Sequence, residues 1–202
     1  MSNSESPYGL KPVRTFNGSP YNGSVIPCYV AASYAAALYI GDPVTKSDEA
    51  DDMDATGKRF TIELATLTDG GLVFGVIVGF DELKTDLSKQ YNPASTERIA
   101  YVCPADGMVF RIRGCGGGTP SDLFPGQNAE MIQGTASTAF GTSGVQLDEG
   151  TTTAPSADQS NPLYILNVAN IEDNELGDFA EWEVLINTPY NAAGRTLGVV
   201  AS

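Results

Sequence analysis

The sequence contains no histidine, and it has few residues that carry positive charge. Without histidine, the chain lacks Ser-His-Asp and Cys-His nucleophile pairs, histidine metal ligands and the usual general base near neutral pH. Its 11 Lys and Arg residues face 25 Asp and Glu residues, which gives a formal net charge of −14. Nucleic acids and anionic membranes repel so acidic a chain, because both are bound largely through Lys and Arg. We therefore expect no nucleic-acid partner, no membrane partner and no enzymatic activity.

Cysteines and long apolar runs are scarce as well. The three cysteines, Cys28, Cys103 and Cys115, are odd in number and lack CxxC spacing, which favours reduced thiols in a protein made in the cytoplasm. The sequence alone does not decide whether Cys103 and Cys115 form a disulfide bridge. The first residues lack the basic start and apolar centre of a signal peptide, and no apolar run reaches the roughly 18–20 residues of a membrane span.

The residues that are present favour an all-β fold. The 22 Gly and 12 Pro residues are spread along the chain between short apolar stretches, several of which alternate with period two. We predict a small β-barrel core with long loops, a second β-rich lobe and extended terminal arms. The predicted segments are an N-terminal arm (1–24), a β-barrel-like core (25–113), a second lobe packed on the core (114–188) and a C-terminal tail (189–202).

Two features of the predicted core are specific enough to be tested locally. Residues 72–80 form the most apolar stretch of the chain, which predicts a strand buried on both faces. Residues 98–103 and 108–113 flank Pro104-Ala105-Asp106-Gly107, a favourable turn sequence, so we predict that they pair as a hairpin. Pro27, which has no N–H to donate, predicts an edge or a bulge for the strand around it.

A glycine-rich run at residues 114–118, GCGGG, has two interpretations. It could bind phosphate, but it lacks the GxxxxGK[ST] pattern, so a tight loop or linker is favoured. Cys115 within it could be an exposed nucleophile activated by Arg111 or Arg113. The sequence offers no evident base for such a nucleophile, and the two arginines also suit a polar strand face or a subunit contact.

Acidic residues suggest two further sites, each with a simpler alternative. The carboxylates of residues 48–54 could bind a cation, although their spacing is not that of an EF-hand, and a solvated acidic loop is favoured. Asp173 and Glu175 could serve glycoside hydrolysis, with Trp182 stacking on a sugar. Ordinary turn chemistry for the pair and burial for the tryptophan are favoured. We assign no catalytic, cofactor-binding or metal-binding residue.

Short segments in a particular order run through most of the chain, up to about Asn187. They are residues 8–13 (YGLKPV), 37–44 (ALYIGDPV), 75–80 (GVIVGF), 101–102 (YV), 109–112 (VFRI), 127–129 (QNA), 144–148 (GVQLD), 173–177 (DNELG) and 182–187 (WEVLIN). In order and spacing, these segments resemble the head decoration (cement) proteins of tailed bacteriophages and their uncharacterised head-associated relatives.

This resemblance implies a virion structural protein on the exterior of the capsid, synthesised in the host cytoplasm. Its partners would be the major capsid protein and other copies of itself, as a homotrimer, with no cofactor. The candidate contact residues lie in the two terminal segments: Tyr8, Leu10, Val13, Phe16, Leu197, Val199 and Val200. The alternatives are a head-fibre base or minor head protein, and an acidic module that binds carbohydrate or calcium.

Overall fold

A computed structural model describes residues 3–47 and 59–190, and its regular elements within those ranges are twelve β-strands. The all-β prediction is therefore confirmed. The strands are β1 (Lys11–Thr15), β2 (Ile26–Val30), β3 (Pro43–Lys46), β4 (Ile62–Leu64), β5 (Gly75–Phe80), β6 (Arg98–Pro104), β7 (Met108–Arg113), β8 (Asn128–Ala129), β9 (Met131–Gln133), β10 (Val145–Leu147), β11 (Leu163–Val168) and β12 (Glu181–Ile186). Among the described residues there is no helix long and apolar enough to cross a bilayer.

The first sheet has the order β1-β7-β12-β11-β8, and it combines three of the predicted segments. Strand β1 lies within the predicted N-terminal arm, yet it pairs antiparallel with β7 and carries an irregularity between Pro12 and Arg14. Leu10, just before it, is 2% exposed and belongs to the main hydrophobic core. This part of the predicted N-terminal arm is therefore a paired strand of the first sheet. Burying the apolar side chain of Leu10 inside the molecule removes it from water and stabilises the fold, whereas an exposed side chain would gain this free energy only on binding a partner.

The second sheet has the order β2-β6-β5-β3-β4, all from the predicted core. Its two edge strands approach each other, because Tyr29 of β2 forms a parallel bridge with Thr61 and donates its N–H to Phe60 O at 2.8 Å. This bridge joins the two edges of the sheet, which we call the barrel-like sheet, but no continuous ladder closes it within the described ranges. Pro27 lies on edge strand β2, as predicted, where its missing N–H costs no ladder hydrogen bond.

The predicted hairpin of residues 98–113 is wrong, although its turn is present. Gly107 has φ +69°, and Met108 N donates to Ala105 O at 3.4 Å, so the chain reverses where the sequence indicates. Strand β6, however, pairs with β2 and β5, whereas β7 pairs with β1 and β12. The turn therefore links the two sheets, and β7 does not belong to the barrel-like sheet.

Strand β5 and the residues before it separate two hydrophobic cores, in agreement with the prediction of burial on both faces. Val73 and Val76 contribute to the larger core, which they share with side chains of the first sheet such as Phe110 and Trp182. Phe74 and Ile77 point to the opposite side, into the smaller core of the second sheet. Within β5, Val76 and the next residue, Ile77, face opposite sides, as the period of two in a strand requires, whereas Val73 and Phe74 precede the strand and do not continue that period.

A continuous buried segment, residues 143–149, connects the two halves of the molecule. At its start, Ser143 N donates to Ile40 O at 2.8 Å, beside the second sheet. Further on, Leu147 bridges Gly114, at the end of β7 in the first sheet. Four of its seven residues are polar, so their side chains need internal hydrogen-bond partners.

Candidate functional site

The four N-terminal contact residues have different environments. Phe16 is 63% exposed, Val13 and Tyr8 are half-buried, and Leu10 is buried. Leu10 therefore has no surface to offer another chain, and its assignment as a contact residue is corrected here. Phe16 is the member of this group that presents a large apolar side chain to solvent.

Phe16 lies on a turn held by several hydrogen bonds. Thr15 N donates to Ser19 O at 2.8 Å, and Gly18 N donates to Thr15 O at 2.9 Å. The Thr15 hydroxyl also hydrogen-bonds with the Asn17 side chain, and Phe16 N donates to Gly107 O at 2.8 Å. The backbone under the exposed ring is thus fixed from both sides, which lowers the entropy cost of any contact that the ring makes.

The three C-terminal contact residues, Leu197, Val199 and Val200, lie outside the described residues, as does the acidic segment 48–58. The described residues next to these two segments lie close together: Lys46 and Phe60 lie on either side of the acidic segment, and Tyr190 precedes the C-terminal residues. The ammonium group of Lys46 lies 4.0 Å from the ring centroid of Phe60, 4.9 Å from that of Phe74 and 4.8 Å from that of Tyr190. These cation–π contacts fix Tyr190, the last described residue, beside β3.

A charged network that the sequence did not predict covers part of the first sheet. Glu181 of β12 accepts hydrogen bonds from the Tyr8 hydroxyl at 2.8 Å and from the Arg113 guanidinium, and Arg111 Nε lies 3.7 Å from its carboxylate. Burial, reinforced by the negative charge of Glu181, raises the pKa of Tyr8 far above its usual value. Tyr8 is therefore a neutral hydrogen-bond donor that ties the N-terminal segment to β12.

A cleft of about 620 Å³ lies beside this network, between the N-terminal segment and the second sheet. Apolar groups of Leu10, Ile40 and Ile77 line it together with the polar side chains of Arg111 and Glu181. The volume is in the range of small-molecule sites, about 300–1,000 Å³. Glu181 is already engaged by Arg113 and Tyr8, whereas the buried Nε of Arg111 has no hydrogen-bond partner among the described residues.

The glycine loop, which we define as residues 114–118, encloses a carboxyl group of the chain itself. Glu149 is 0% exposed; its Oε1 accepts from Trp182 Nε1 at 2.7 Å and its Oε2 from Gly116 N at 3.2 Å. A Cβ at position 114 would lie 2.0 Å from the Glu149 carboxyl carbon. The tight-loop interpretation is thus supported, and the loop N–H that a phosphate would need is used by Glu149.

Among the described residues, no Lys or Arg contacts Cys115 to activate it. Its sulfur is 3.1 Å from the Thr151 hydroxyl and 3.4 Å from Gly116 O, while Arg111 and Arg113 are directed to Glu181. Cys28, Cys103 and Cys115 are all free thiols, so the bridge between Cys103 and Cys115 is absent. Burial raises the pKa of Cys28 to about 12 and that of Cys103 to about 11, which keeps both thiols protonated.

The carboxylate next to Glu149 has a different role. Asp148 accepts N–H groups from residues 150–153, the shortest being those of Thr151 and Thr153 at 2.8 Å. These bonds organise the Thr-rich loop that follows the buried segment, as Asx turns do. Its position beside Glu149 nevertheless places two acidic side chains together.

The proposed sugar-binding group is not assembled. Trp182 is 0% exposed and packs against Phe124 with ring centroids 5.8 Å apart, so neither face is free to stack on a ligand. Asp173 and Glu175 lie on an exposed turn, where Asp173 has φ +60°. Among the residues that the structure describes, no group of three or more His, Cys, Asp or Glu side chains is placed to hold a metal ion.

Comparison with known proteins found no relative of the chain. No family model, no curated protein and no solved structure matches the chain.

Proposed function

We propose that this protein is a capsid decoration protein that binds the outer surface of a phage head and stabilises contacts between major capsid subunits. The observation that carries the proposal furthest is Phe16, a 63% exposed aromatic ring on a hydrogen-bonded turn. Aromatic side chains held in place before binding are favourable anchors of protein interfaces. The proposal also rests on the resemblance of the segment order and on the acidic composition.

The covered edges of the first sheet favour contacts through loops. Beside β1, Tyr21 N donates to Val13 O at 3.0 Å, and beside β8, Asn128 and Ser156 exchange hydrogen bonds of 2.7 and 2.8 Å. A partner that adds a strand would have to displace these bonds. Two other exposed large side chains that lie on loops are those of Leu87 and Phe140.

Binding of the purified chain to heads that lack it tests the proposal. We expect wild-type protein to sediment with the heads of the phage that encodes it, and Phe16→Ser to lower the affinity about tenfold, as loss of a moderate anchor does. Leu123→Ser is the matched control, since it removes a large side chain that is 73% exposed on another loop. Sedimentation equilibrium of the free protein tests the expected homotrimer.

Two negative results have different meanings. If the wild-type chain does not sediment with the heads, the proposed function is wrong. If it sediments and Phe16→Ser binds like Leu123→Ser, capsid binding stands and the role of Phe16 as an anchor is wrong.

Other outcomes would favour the alternative functions. A few copies in each particle would favour the head-fibre base or minor head protein. Heat released on mixing with calcium or glycans would favour the binding module.

A further inference from the structure

Glu149 is buried against backbone on one side and an indole ring on the other. The glycines at 114 and 118 leave no space for side chains, because an added Cβ would lie 2.0 Å from the Glu149 carboxyl carbon at position 114 and 2.2 Å from Glu149 O at position 118. Glu149 is 0% exposed, so the glycine loop is one of the surfaces that exclude water from its carboxyl group. The closeness of this packing makes the loop and the carboxyl group one unit.

The groups that face Glu149 supply no positive charge. Asp148 from its own segment and Asp178 from the loop before β12 both act on it as like charges. The glycine loop contributes the Cys115 thiol, whose sulfur lies 4.0 Å from Asp148 Oδ1, and β12 contributes the neutral Trp182 indole. In the described ranges, no Lys or Arg forms an ion pair with Glu149, and the nearest arginines in sequence to the loop bind Glu181.

Two opposing effects act on the carboxyl group. The N–H donors of Trp182 and Gly116 favour the ionised form, whereas burial favours the neutral form. Burial is the larger effect and raises the pKa of Glu149 to about 7. The group is thus neutral in mild acid and becomes a buried anion without a counter-charge at alkaline pH, a state that is costly unless water enters.

The glycine loop is packed less closely at Gly117 than at its other glycines. Gly116 and Gly117 have φ of +68° and +71°, and an added Cβ at position 117 would meet nothing within 4 Å. The start of the loop is fixed, since Gly114 N donates to Ala180 O at 2.8 Å and Cys115 N donates to Leu147 O at 3.0 Å. Beyond Cys115, Gly116 N donates to Glu149 Oε2, and Gly116 O accepts from the Thr151 hydroxyl at 2.9 Å and lies 3.4 Å from the Cys115 sulfur.

We infer that the glycine loop is a proton-controlled element of this fold: protonated Glu149 keeps it closed, and proton loss opens it to water. The inference needs neither a partner nor the proposed function. It rests on a fully buried acid, a loop that packs directly on it, and like charges on the remaining side. The proton leaves to solvent, and no other bond changes.

Trp182 provides a direct readout, because it is the only tryptophan in the chain and its Nε1 is 2.7 Å from Glu149 Oε1. We expect its fluorescence to titrate with a midpoint near pH 7, the pKa of the carboxyl group in the folded protein. Glu149→Gln, which has the same shape and no titration, is expected to abolish the transition. A wild-type signal that is flat between about pH 5 and pH 9, or a Gln variant that titrates like wild type, contradicts the inference.

Hydrogen exchange of the glycine loop tests the opening itself. After correction for the intrinsic effect of pH, protection of residues 114–118 is expected to fall several-fold above the midpoint in wild type and to stay constant in Glu149→Gln. Strand β5 serves as the internal reference, since its protection is expected to be the same on both sides of the midpoint. Unchanged loop protection in a wild-type protein whose fluorescence titrates overturns the opening.

A second pair of variants keeps the inference testable if Glu149→Gln does not fold. Asp178 is exposed, and its charge raises the pKa of Glu149, so Asp178→Asn is expected to lower the fluorescence midpoint. Asp173→Asn, an exposed acid on the same loop, is the control and is expected to leave the midpoint unchanged. Equal midpoints in all three proteins contradict the inference.

Discussion

Two glutamates beside the same strand, β12, differ in how the protein holds them. Glu181, on the outer side of the first sheet, is 11% exposed at its side chain and is surrounded by Arg113, Arg111 and the Tyr8 hydroxyl. Glu149 contacts Trp182, the residue after Glu181, from the interior and is 0% exposed, and no cation in the described part of the chain acts on it. Charge compensation stabilises the first carboxylate, whereas the second is stabilised chiefly by remaining neutral.

The comparison shows what each arrangement contributes. The Glu181 network ties the N-terminal segment to the sheet through groups whose charges are matched. The Glu149 site ties the glycine loop to the buried segment 143–149 and makes that attachment depend on pH. A negatively charged chain has few cations, and it places two of its 11 basic residues at Glu181.

The largest expected difference between the two sites is in the pH dependence of stability. The pKa of Glu149 is about 7 in the folded protein against an ordinary 4.5, so its contribution to stability is complete below about pH 4.5 and is lost as the pH rises to 7. Relative to Glu149→Gln, wild type should lose about 3 kcal/mol of unfolding free energy across this range. Urea denaturation at a series of pH values measures it. Taking the difference from the variant removes the parallel contribution of Asp42, whose pKa burial raises to about 6.

A steric change at the Glu149 site should have the next largest effect. Gly114→Ala places a methyl group 2.0 Å from the Glu149 carboxyl carbon, so we expect a loss of about 2 kcal/mol, typical of overpacking. Gly79→Ala is the control, because an added Cβ there meets nothing within 4 Å. Thermal unfolding followed by circular dichroism compares the two. Similar melting temperatures would mean that the loop does not pack on the carboxyl group as described.

Neutralising the paired glutamate should have a smaller effect. Glu181→Gln leaves Arg113 and Arg111 without their carboxylate but keeps an acceptor for Tyr8, so a loss of about 1 kcal/mol is expected. Because arginine keeps its charge throughout, the loss should have the same sign in mild acid and mild base. Chemical denaturation at both pH values measures it, with the exposed Glu82→Gln as control. A gain in stability at either pH would show that Arg111 and Arg113 do not compensate the charge of Glu181.

The smallest effect is expected at the more exposed ion pair of the same sheet. Arg14 and Glu183 are 2.8 Å apart, with side chains 32% and 13% exposed. Arg14→Gln should cost about 0.5 kcal/mol at low salt, and the cost should approach zero as salt screens the pair. The same denaturation measurement at two salt concentrations tests this. A cost that persists in high salt would indicate that Arg14 acts through packing and not through charge.

The sequence predicted where strands lie better than how they pair. The apolar stretch of residues 72–80 marks β5, because the run of side-chain types along a strand is a local property. The partners of β6 and β7 depend on which edges are free in the folded sheets, and a good turn between them does not determine that. The segment before β1 illustrates the same limit, since its polarity suggested an arm while Leu10 belongs to the core.

The site was less predictable than the fold. Glu149 precedes a Thr- and Ser-rich stretch, so its neighbours in sequence suggest an exposed loop. Its burial depends on Trp182 and on the glycine loop, which lie more than 30 residues away on either side. The signal that was available is the run of four glycines in residues 114–118, which indicates that some group approaches the backbone closely.

The central claim, that the protein coats the outside of a phage head, is tested most directly by its abundance in purified particles. Quantitative mass spectrometry of intact virions gives the ratio of this chain to the major capsid protein. The account predicts a copy number that approaches that of the capsid protein, together with loss of the chain after brief protease treatment of intact heads. Absence of the chain from the particles, or complete protection inside them, would contradict it.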